Sequence, residues 1–483
     1  MNAAILLRQK VLDLAIRGKL TKREKGDEPA SALLARIVAE KEKRNARVGR
    51  ARTSAVPDPI TEDEMPFDLP KGWIWCRLGE LCESIQYGYN APAKKQGRIR
   101  MVRITDIQDG RVIWAQVPYC DIKESEISGY LLKPGDILFA RTGGTVGKSF
   151  LVSEVEGESI YAGYLIRTRY FSFLEERYFK YFMESSLYWE QLREGTIATA
   201  QPNCNGKTLS RMKIPLPPLA EQKRIVEWVD ELLAAIDQYS SAMNKISEAA
   251  DMLEKKVLDL AIRGKLSKRE KSDGSASEII EAIAADKAKR IAKKLMRKEK
   301  PLPPIMPEDK PFELPKEWIW CRFGELCAYG QCEAVSFSGL PKNTWVLDLE
   351  EIEKDTGRLI ERKLVKDKQA TSGKHLFKKG MLLYSKLRTY LNKVLIADQD
   401  GVCTSEIIPI DFHGFVDVAY ARIVLMSPYF LSYTASKDYG VKMPRVSTDD
   451  MRMAVFPLPP LAEQKRIVER VGAILAECRK ISQ

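Results

Sequence analysis

Two short stretches of the sequence combine cationic residues with small or polar ones, a combination suited to contacting nucleic acid. They are residues 141–148 and, 245 positions later, residues 386–393, and each begins and ends with Arg or Lys. Such side chains can neutralise phosphates or donate to guanine edges, and glycine lets a backbone approach a ligand closely. We call them the first and second cationic loops. The predicted contact residues are Arg141, Thr142, Gly144, Thr145, Lys148, Lys386, Arg388, Tyr390 and Lys393. The alternative is an exposed hairpin with ordinary solubilising charges.

A second pair of polar stretches follows later in each half of the chain. Gln201 and Asn203 lie in the first, and Lys442 and Arg445 in the second. Gln and Asn can pair with adenine through two hydrogen bonds, and Arg with guanine, although turn and capping chemistry would use the same residues. Further candidates for phosphate contacts are Arg103, Arg167 and Arg169.

The motifs expected of an enzyme are incomplete. Residues 142–149 end in Gly-Lys-Ser, but Thr142 stands where a phosphate-binding loop has its first glycine. The segment 427–430, Ser-Pro-Tyr-Phe, lacks the amide or carboxylate and the second proline of an amino-methylating tetrad. The two histidines, His375 and His413, have no nucleophile motif beside them. We therefore expect no catalysis and no cofactor in this chain.

Composition indicates a globular protein with a polyanionic partner. Hydrophobic residues make up 45% and charged residues 30%, and 78 Lys and Arg against 66 Asp and Glu give a net charge of +12. No apolar run approaches the ~18 residues of a membrane span, so we expect a cytoplasmic protein. The nine cysteines form no CxxC pair, so we expect reduced thiols and no structural metal.

The chain contains an internal repeat, which decides its architecture. KVLDLAIRGKL occurs at 10–20 and 256–266, and PLPPLAEQKRIVE at 215–227 and 457–469. FDLPKGWIWCRLGELC begins at Phe67, and FELPKEWIWCRFGELC begins at Phe312. Residues 83–212 and 328–453, here called the first and second inserted domains, share spacing but little identity. A duplicated scaffold therefore carries two unlike domains, whose short apolar runs and turn residues predict a mixed α/β fold.

Apolar residues four and three positions apart predict a coiled-coil helix from Ala220 to about Ile262, ~65 Å long if unbroken. The seam residues are Ile225, Val229, Leu232, Ile236, Tyr239, Met243, Ile246, Ala250, Leu253, Val257 and Leu260. Residues 467–481 start the same seam again, and residues 4–14 supply its second half, so the repeat is circularly permuted. Two terminal helices docked beside the central helix would give a pseudo-two-fold arrangement.

This arrangement resembles the specificity subunit of type I restriction-modification enzymes, and PLPPLAEQ after each inserted domain is the specific part of the match. The resemblance covers essentially the whole chain. It implies an α+β fold with two target-recognition domains separated by a long antiparallel coiled coil. The expected domains are N-terminal helices at 1–55, target-recognition domains at 67–217 and 312–459, central helices at 218–300 and a C-terminal helix at 460–483.

The resemblance also implies a function and partners. Each domain would contact one half of a bipartite, asymmetric site in double-stranded DNA, and the helices would set the spacing. Two DNA adenine methyltransferase subunits would dock on the chain, and restriction subunits could join them. S-adenosylmethionine, ATP and Mg²⁺ would belong to those partners. The alternatives are a DNA-bridging protein without catalytic partners, a specificity subunit of a related methyltransferase-nuclease system, and an enzyme in its own right.

Overall fold

The computed structural model divides into two compact units, Met1–Ala242 (unit 1) and Met243–Gln483 (unit 2). The residues that the structure describes are 3–47, 60–108, 110–196, 204–369, 373–437 and 443–481. Among them, no helix combines the length and the apolar character needed to cross a membrane.

Unit 1 starts with two helices, and its inserted domain follows. The helices of unit 1 are α1 (Ala3–Ile16), α2 (Ala30–Arg47), α3 (Leu78–Leu81), α4 (Glu124–Tyr130), α5 (Glu176–Phe182), α6 (Ser186–Thr196), α7 (Gly206–Arg211) and the first part of α8 (Leu219–Ile262). Its strands are β1 (Ile74–Arg77), β2 (Cys82–Tyr87), β3 (Ile99–Val102), β4 (Ile107–Gln108), β5 (Arg111–Val112), β6 (Tyr119–Cys120), β7 (Ile137–Ala140), β8 (Ser149–Leu151), β9 (Ser159–Tyr161), β10 (Leu165–Tyr170) and β11 (Lys213–Leu216).

Unit 2 has the same order of parts, beginning with the remainder of α8. Its other helices are α9 (Ala276–Ala292), α10 (Phe323–Leu326), α11 (Val418–Met426), α12 (Pro428–Ser436), α13 (Thr448–Met453) and α14 (Leu461–Ile481). Its strands are β12 (Ile319–Arg322), β13 (Ala334–Val335), β14 (Trp345–Leu347), β15 (Lys363–Leu364), β16 (Lys374–Phe377), β17 (Leu382–Ser385), β18 (Val394–Ile396), β19 (Gly401–Thr404), β20 (Ile407–Ile410) and β21 (Val455–Leu458).

Each inserted domain begins and ends on a two-stranded antiparallel ribbon. β1 pairs with β11 and places Trp75 opposite Pro215, and β12 pairs with β21 and places Trp320 opposite Pro457. The sheets of the first domain have the strand orders β2-β10-β7-β8 and β6-β3-β9. Those of the second are β13-β16-β19-β14-β15 and β18-β17-β20. The two domains therefore share an entry and an exit. Their sheets have equivalent central strands, but β2 is added in the first domain and β13 and β16 in the second.

The helices of unit 1 form the predicted antiparallel pair. Arg8 of α1 lies 2.6 Å from Asp237, whereas Thr21, which follows α1, bonds to Glu221 sixteen positions earlier in α8. Residue numbers therefore rise along one helix as they fall along the other. In unit 2, the end of α8 and the start of α14 share one hydrophobic core. The circular permutation is thus visible inside each unit, because a KVLDLAIRGKL helix accompanies a PLAEQKRIVE helix in both.

A buried glutamate joins the three parts of each unit. Glu221 accepts a hydrogen bond of 3.0 Å from Trp73 Nε1 and another of 3.0 Å from Thr21 Oγ1. In unit 2, Glu463 accepts from Trp318 Nε1 at 2.9 Å and from Ser267 Oγ at 2.7 Å. Each carboxylate therefore links the segment after the first helix, the segment that leads into the inserted domain, and the last helix. Burial without these donors would be costly, which explains why the repeat keeps Glu, Trp and a hydroxyl together.

An ion pair next to this glutamate is repeated as well. Arg224 lies 2.5 Å from the nearly buried Asp27, and Arg466 lies 2.5 Å from Asp273. Hydrogen bonds from these guanidinium groups hold the pKa values of both aspartates below their ordinary value. The basic residues of PLPPLAEQKRIVE are therefore partly structural.

The long helix is confirmed, but its seam is buried only toward its ends. The buried seam residues are Ile225, Val229, Ile236 and Val257. Tyr239, Ile246 and Leu253 lie between them and are 52%, 39% and 46% exposed. The reason is length, since α1 already reaches Asp237 with Arg8, its sixth residue, and therefore covers only the beginning of α8. The predicted seam residues at the centre of α8 are therefore exposed.

The cysteines of the repeat are buried. Cys76, Cys82, Cys321 and Cys327 are free thiols, and burial raises the pKa of Cys82 and of Cys327 to about 12. Among the described residues, no group of His, Cys, Asp and Glu is placed to hold a metal ion.

The buried glutamate can be tested by mutation. We expect Glu221→Ala to lower the free energy of unfolding of unit 1 by about 2–3 kcal/mol, because Trp73 Nε1 and the Thr21 hydroxyl would lose a buried acceptor. Urea denaturation of the full chain measures this change. Glu227→Ala, on an exposed position of the same helix, is the control and should change stability by less than about 0.5 kcal/mol. Equal effects of the two substitutions would contradict the assignment.

Candidate nucleic-acid interface

The two cationic loops have corresponding backbones. The first follows β7 and the second follows β17, both of which are buried strands. Positive φ angles occur at Gly143 (83°) and Gly147 (80°), and at the equivalent Arg388 (50°) and Asn392 (49°). Glycine adopts such angles freely, whereas other L-residues are strained by about 1–2 kcal/mol. The backbone path is thus retained while the side chains change.

One residue of each cationic loop holds two other segments by its backbone. Arg141 N–H donates to the Tyr164 carbonyl at 3.0 Å, and its carbonyl accepts from Cys204 N–H at 3.0 Å. Lys386 N–H donates to the Glu406 carbonyl at 3.0 Å, and its carbonyl accepts from Val446 N–H at 3.1 Å. We call residues 141–148, 162–164 and 204–207 the first loop cluster. Residues 386–393, 405–406 and 443–446 form the second.

The first loop cluster presents an arginine held against a tyrosine. The guanidinium carbon of Arg141 lies 4.9 Å from the centre of the Tyr87 ring, and the Tyr87 hydroxyl accepts a hydrogen bond of 2.9 Å from Gly206 N–H. Thr142, Gly144 and Lys148 are exposed, and Thr145 is half-buried. A Cβ atom built on Gly144 would meet no atom within 4 Å, so this loop faces open space. Gln201 and Asn203 lie outside the described residues.

The second loop cluster presents more charge. Arg445 forms a bidentate ion pair with Glu406, with Nη2 to Oε1 at 2.9 Å, and hydrogen bonds from Arg445 lower the pKa of Glu406. Arg388 is exposed, Tyr390 is 55% exposed and Lys386 is half-buried. Lys393 Nζ instead donates to the Leu349 carbonyl at 2.6 Å, and burial lowers its pKa. Lys442 lies outside the described residues.

Three candidate arginines of the first inserted domain are engaged inside the protein. Arg103 pairs with the buried Asp106, with Nη2 to Oδ1 at 2.8 Å, and Arg169 pairs with the buried Asp136. Arg167 is 2% exposed, lies over the Tyr161 ring and donates to the Leu131 carbonyl at 2.9 Å. The expectation of a phosphate contact was wrong for Arg167, since its side chain is used in the interior.

The position equivalent to Arg103 has the opposite charge. Asp348 stands there and accepts hydrogen bonds from Lys368 at 2.6 Å and from the buried Lys374 at 2.9 Å. The adjacent buried Glu351 also accepts from Lys368. Both domains therefore keep a buried carboxylate at the next equivalent position, Asp106 and Glu351, but its cationic partner is Arg103 in the first domain and Lys368 in the second.

Sequence reasoning missed three exposed or half-buried residues that the folded chain brings to the loop clusters. Tyr164 is 68% exposed beside Arg141, Tyr87 lies under the Arg141 guanidinium, and Glu406 pairs with Arg445. None belongs to a motif. Strand pairing is what brings Tyr87 and Tyr164 to Arg141. β10 pairs with both β2 and β7, so the end of β2, the start of β10 and the end of β7 lie side by side.

The incomplete phosphate-binding motif also has the wrong surroundings. Residues 142–149 connect β7 to β8, which pair antiparallel in one sheet. A phosphate-binding loop connects a strand to a helix whose N-terminus faces the phosphate. The Gly-Lys-Ser sequence here is part of a hairpin.

The chain is similar to specificity subunits of type I restriction systems. The family described as "Type I restriction modification DNA specificity domain" matches residues 70–246. The type I restriction enzyme EcoAI specificity subunit of Escherichia coli is 28% identical, over 98% of this chain and 89% of that protein. The EcoEI specificity subunit of Escherichia coli is 25% identical over the same shares.

A solved structure agrees in fold. It comes from work on the complex assembly and conformational transition of the type I R-M system. The TM-score is 0.55 at 19% identity, covering 86% of this chain and 93% of the solved chain. The chain is thus similar to type I restriction-modification specificity subunits over nearly its whole length, and it shares the fold of a solved chain from such a system.

Proposed function

We propose that this chain is the non-catalytic subunit that directs a type I restriction-modification complex to a bipartite, asymmetric site in double-stranded DNA. The observation that carries the proposal is the correspondence of the loop clusters. Arg141 and Lys386 hold their neighbouring segments through equivalent backbone hydrogen bonds, while Gly143, Thr145 and Tyr164 are replaced by Arg388, Tyr390 and Glu406. Two equivalent supports that carry different polar groups suit two different half-sites.

The DNA contacts proposed for the first half-site are Arg141, Thr142, Gly144, Thr145, Lys148, Gln201 and Asn203, with Arg103 as a phosphate contact. Those proposed for the second are Lys386, Arg388, Tyr390, Lys393, Lys442 and Arg445. The geometry favours Arg141, whose guanidinium lies over the Tyr87 ring, and Arg388, which is exposed. Arg103 and Lys393 would have to leave their present partners, Asp106 and the Leu349 carbonyl.

The partners that we propose follow from the two units. Each unit would bind one DNA adenine methyltransferase subunit on its helices, giving two such subunits per chain, and restriction subunits would join them. Those partners would carry S-adenosylmethionine, ATP and Mg²⁺. We further propose that the complex acts on DNA in the cytoplasm, and that the target-recognition domains are residues 67–217 and 312–459, with helical parts at 1–55, 218–300 and 460–483.

The primary test is the pattern of modified adenines in the host genome. Single-molecule sequencing with and without this gene should show one bipartite, non-palindromic motif that depends on the chain. The chain should also co-purify with an S-adenosylmethionine-dependent methyltransferase in stoichiometric amounts. A DNA-bridging protein would give neither result, and methylation by the purified chain alone would contradict a non-catalytic subunit.

Exchange of one inserted domain tests the division between the half-sites. We expect that replacing residues 83–212 with the corresponding domain of another specificity subunit changes only one half of the motif, because the β1–β11 ribbon provides its entry and exit. Replacing residues 328–453 is the matched exchange and should change the other half. Altered recognition of both halves after one exchange would refute the assignment.

An insertion in α8 tests whether this helix sets the spacing. Duplicating residues 243–249 adds one heptad, which keeps the seam in phase and lengthens the helix by ~10 Å. We expect the spacer of the methylation motif to grow by about three base pairs. A spacer of unchanged length in an active complex would exclude this role.

A further inference from the structure

Arg388 occupies a backbone conformation that its residue type disfavours. Its φ angle is 50°, whereas the equivalent position of the first cationic loop holds Gly143 at 83°. The other positive-φ position holds Asn392 in place of Gly147, and Asn is one of the few residues that tolerates this region. Arginine has no such local compensation, so the second loop retains a strained residue where the first uses glycine.

The surrounding structure fixes the strained turn from both sides. Arg388 N–H donates to the Pro444 carbonyl at 2.8 Å, and its own carbonyl accepts from Leu391 N–H at 2.9 Å. Thr389 is 3% exposed, and Asn392 Nδ2 donates to the Met426 carbonyl at 3.3 Å. The direction in which the Arg388 side chain leaves the backbone is therefore determined before any ligand binds.

The Arg388 guanidinium is available for a ligand. Arg445 is occupied by Glu406, and Lys393 by the Leu349 carbonyl. Within the described part of the chain, by contrast, no hydrogen bond or ion pair engages the exposed Arg388 side chain. Among the described residues, the second loop cluster thus contains an exposed guanidinium whose backbone position is fixed and whose donors are free.

We propose that Arg388 determines specificity in the second half-site by donating two hydrogen bonds to the O6 and N7 atoms of a guanine. The inference rests on the proposed function and adds a base and a residue to it. A phosphate contact requires only positive charge, which a lysine on relaxed backbone supplies equally well. A strained backbone is useful where direction matters, and the planar guanidinium fork matches the guanine edge.

The test uses the full chain assembled with its methyltransferase subunits in the host. The variants are Arg388→Gly, which installs the residue of the equivalent loop, and Arg388→Lys, which keeps the charge and loses the fork. Lys379→Gly is the control, because it removes an exposed charge just before β17, at the opposite end of the strand from the second cationic loop. Modified adenines are mapped by sequencing, and each complex is titrated with duplexes carrying each of the four bases at every position of the second half-site.

Arg388→Gly should reduce the preference for guanine at one position of the second half-site by about 5- to 150-fold, the range expected for one bidentate contact. The first half-site and the spacer should stay unchanged. Arg388→Lys should retain only part of the preference, and Lys379→Gly should behave as the unmodified chain. The melting temperature of Arg388→Gly should not fall, because the backbone strain is relieved.

Three results would overturn the proposal. The first is a uniform loss of affinity for all sequences in Arg388→Gly that Arg388→Lys restores, which indicates a phosphate contact. The second is a motif that Arg388→Gly leaves unchanged. The third is a lower melting temperature of Arg388→Gly, which indicates a structural role. Failure of the proposed function itself is distinguishable, because the unmodified chain would then give no bipartite motif.

Discussion

A carboxylate buried at the start of the last helix of each unit is the interaction on which the rest depends. Glu221 and Glu463 each accept hydrogen bonds from a tryptophan at the base of an inserted domain and from a hydroxyl that follows the first helix. Burying a charge is favourable only when its donors are in place. Each unit is therefore stable only when its three parts meet. This requirement explains why KVLDLAIRGKL and PLPPLAEQKRIVE, which stand at these contacts, are identical in the two copies.

The two inserted domains share the backbone features that support the cationic loops and differ in the exposed side chains of those loops. The ribbons, the buried strands before the cationic loops and the hydrogen bonds of Arg141 and Lys386 recur in both domains. The residues at the exposed positions differ in charge and shape, as Tyr164 and Glu406 do. A fixed backbone path with interchangeable side chains lets two binding surfaces diverge without altering the scaffold that presents them.

The sequence was sufficient to predict the elements whose residues are periodic or repeated. It predicted α8 to within one residue at its start, and it predicted the permuted helices. It could not predict the burial of Arg167 or the joining of Tyr164 to Arg141, because these depend on the register of β10 against its neighbours. It also missed the exposed centre of α8, since a seam pattern does not show where a neighbouring helix begins.

The different cationic partners of the internal carboxylates bear on how such chains can change during evolution. Arg103 faces Asp106 in one domain, whereas Asp348 and Glu351 face Lys368 and Lys374 in the other. A chimera joined between these partners would bury like charges or leave a carboxylate without its counterion, at a cost of several kcal/mol. Crossovers within a domain should accordingly be eliminated by misfolding, so that inheritance of a whole domain is the step by which a new sequence preference is acquired.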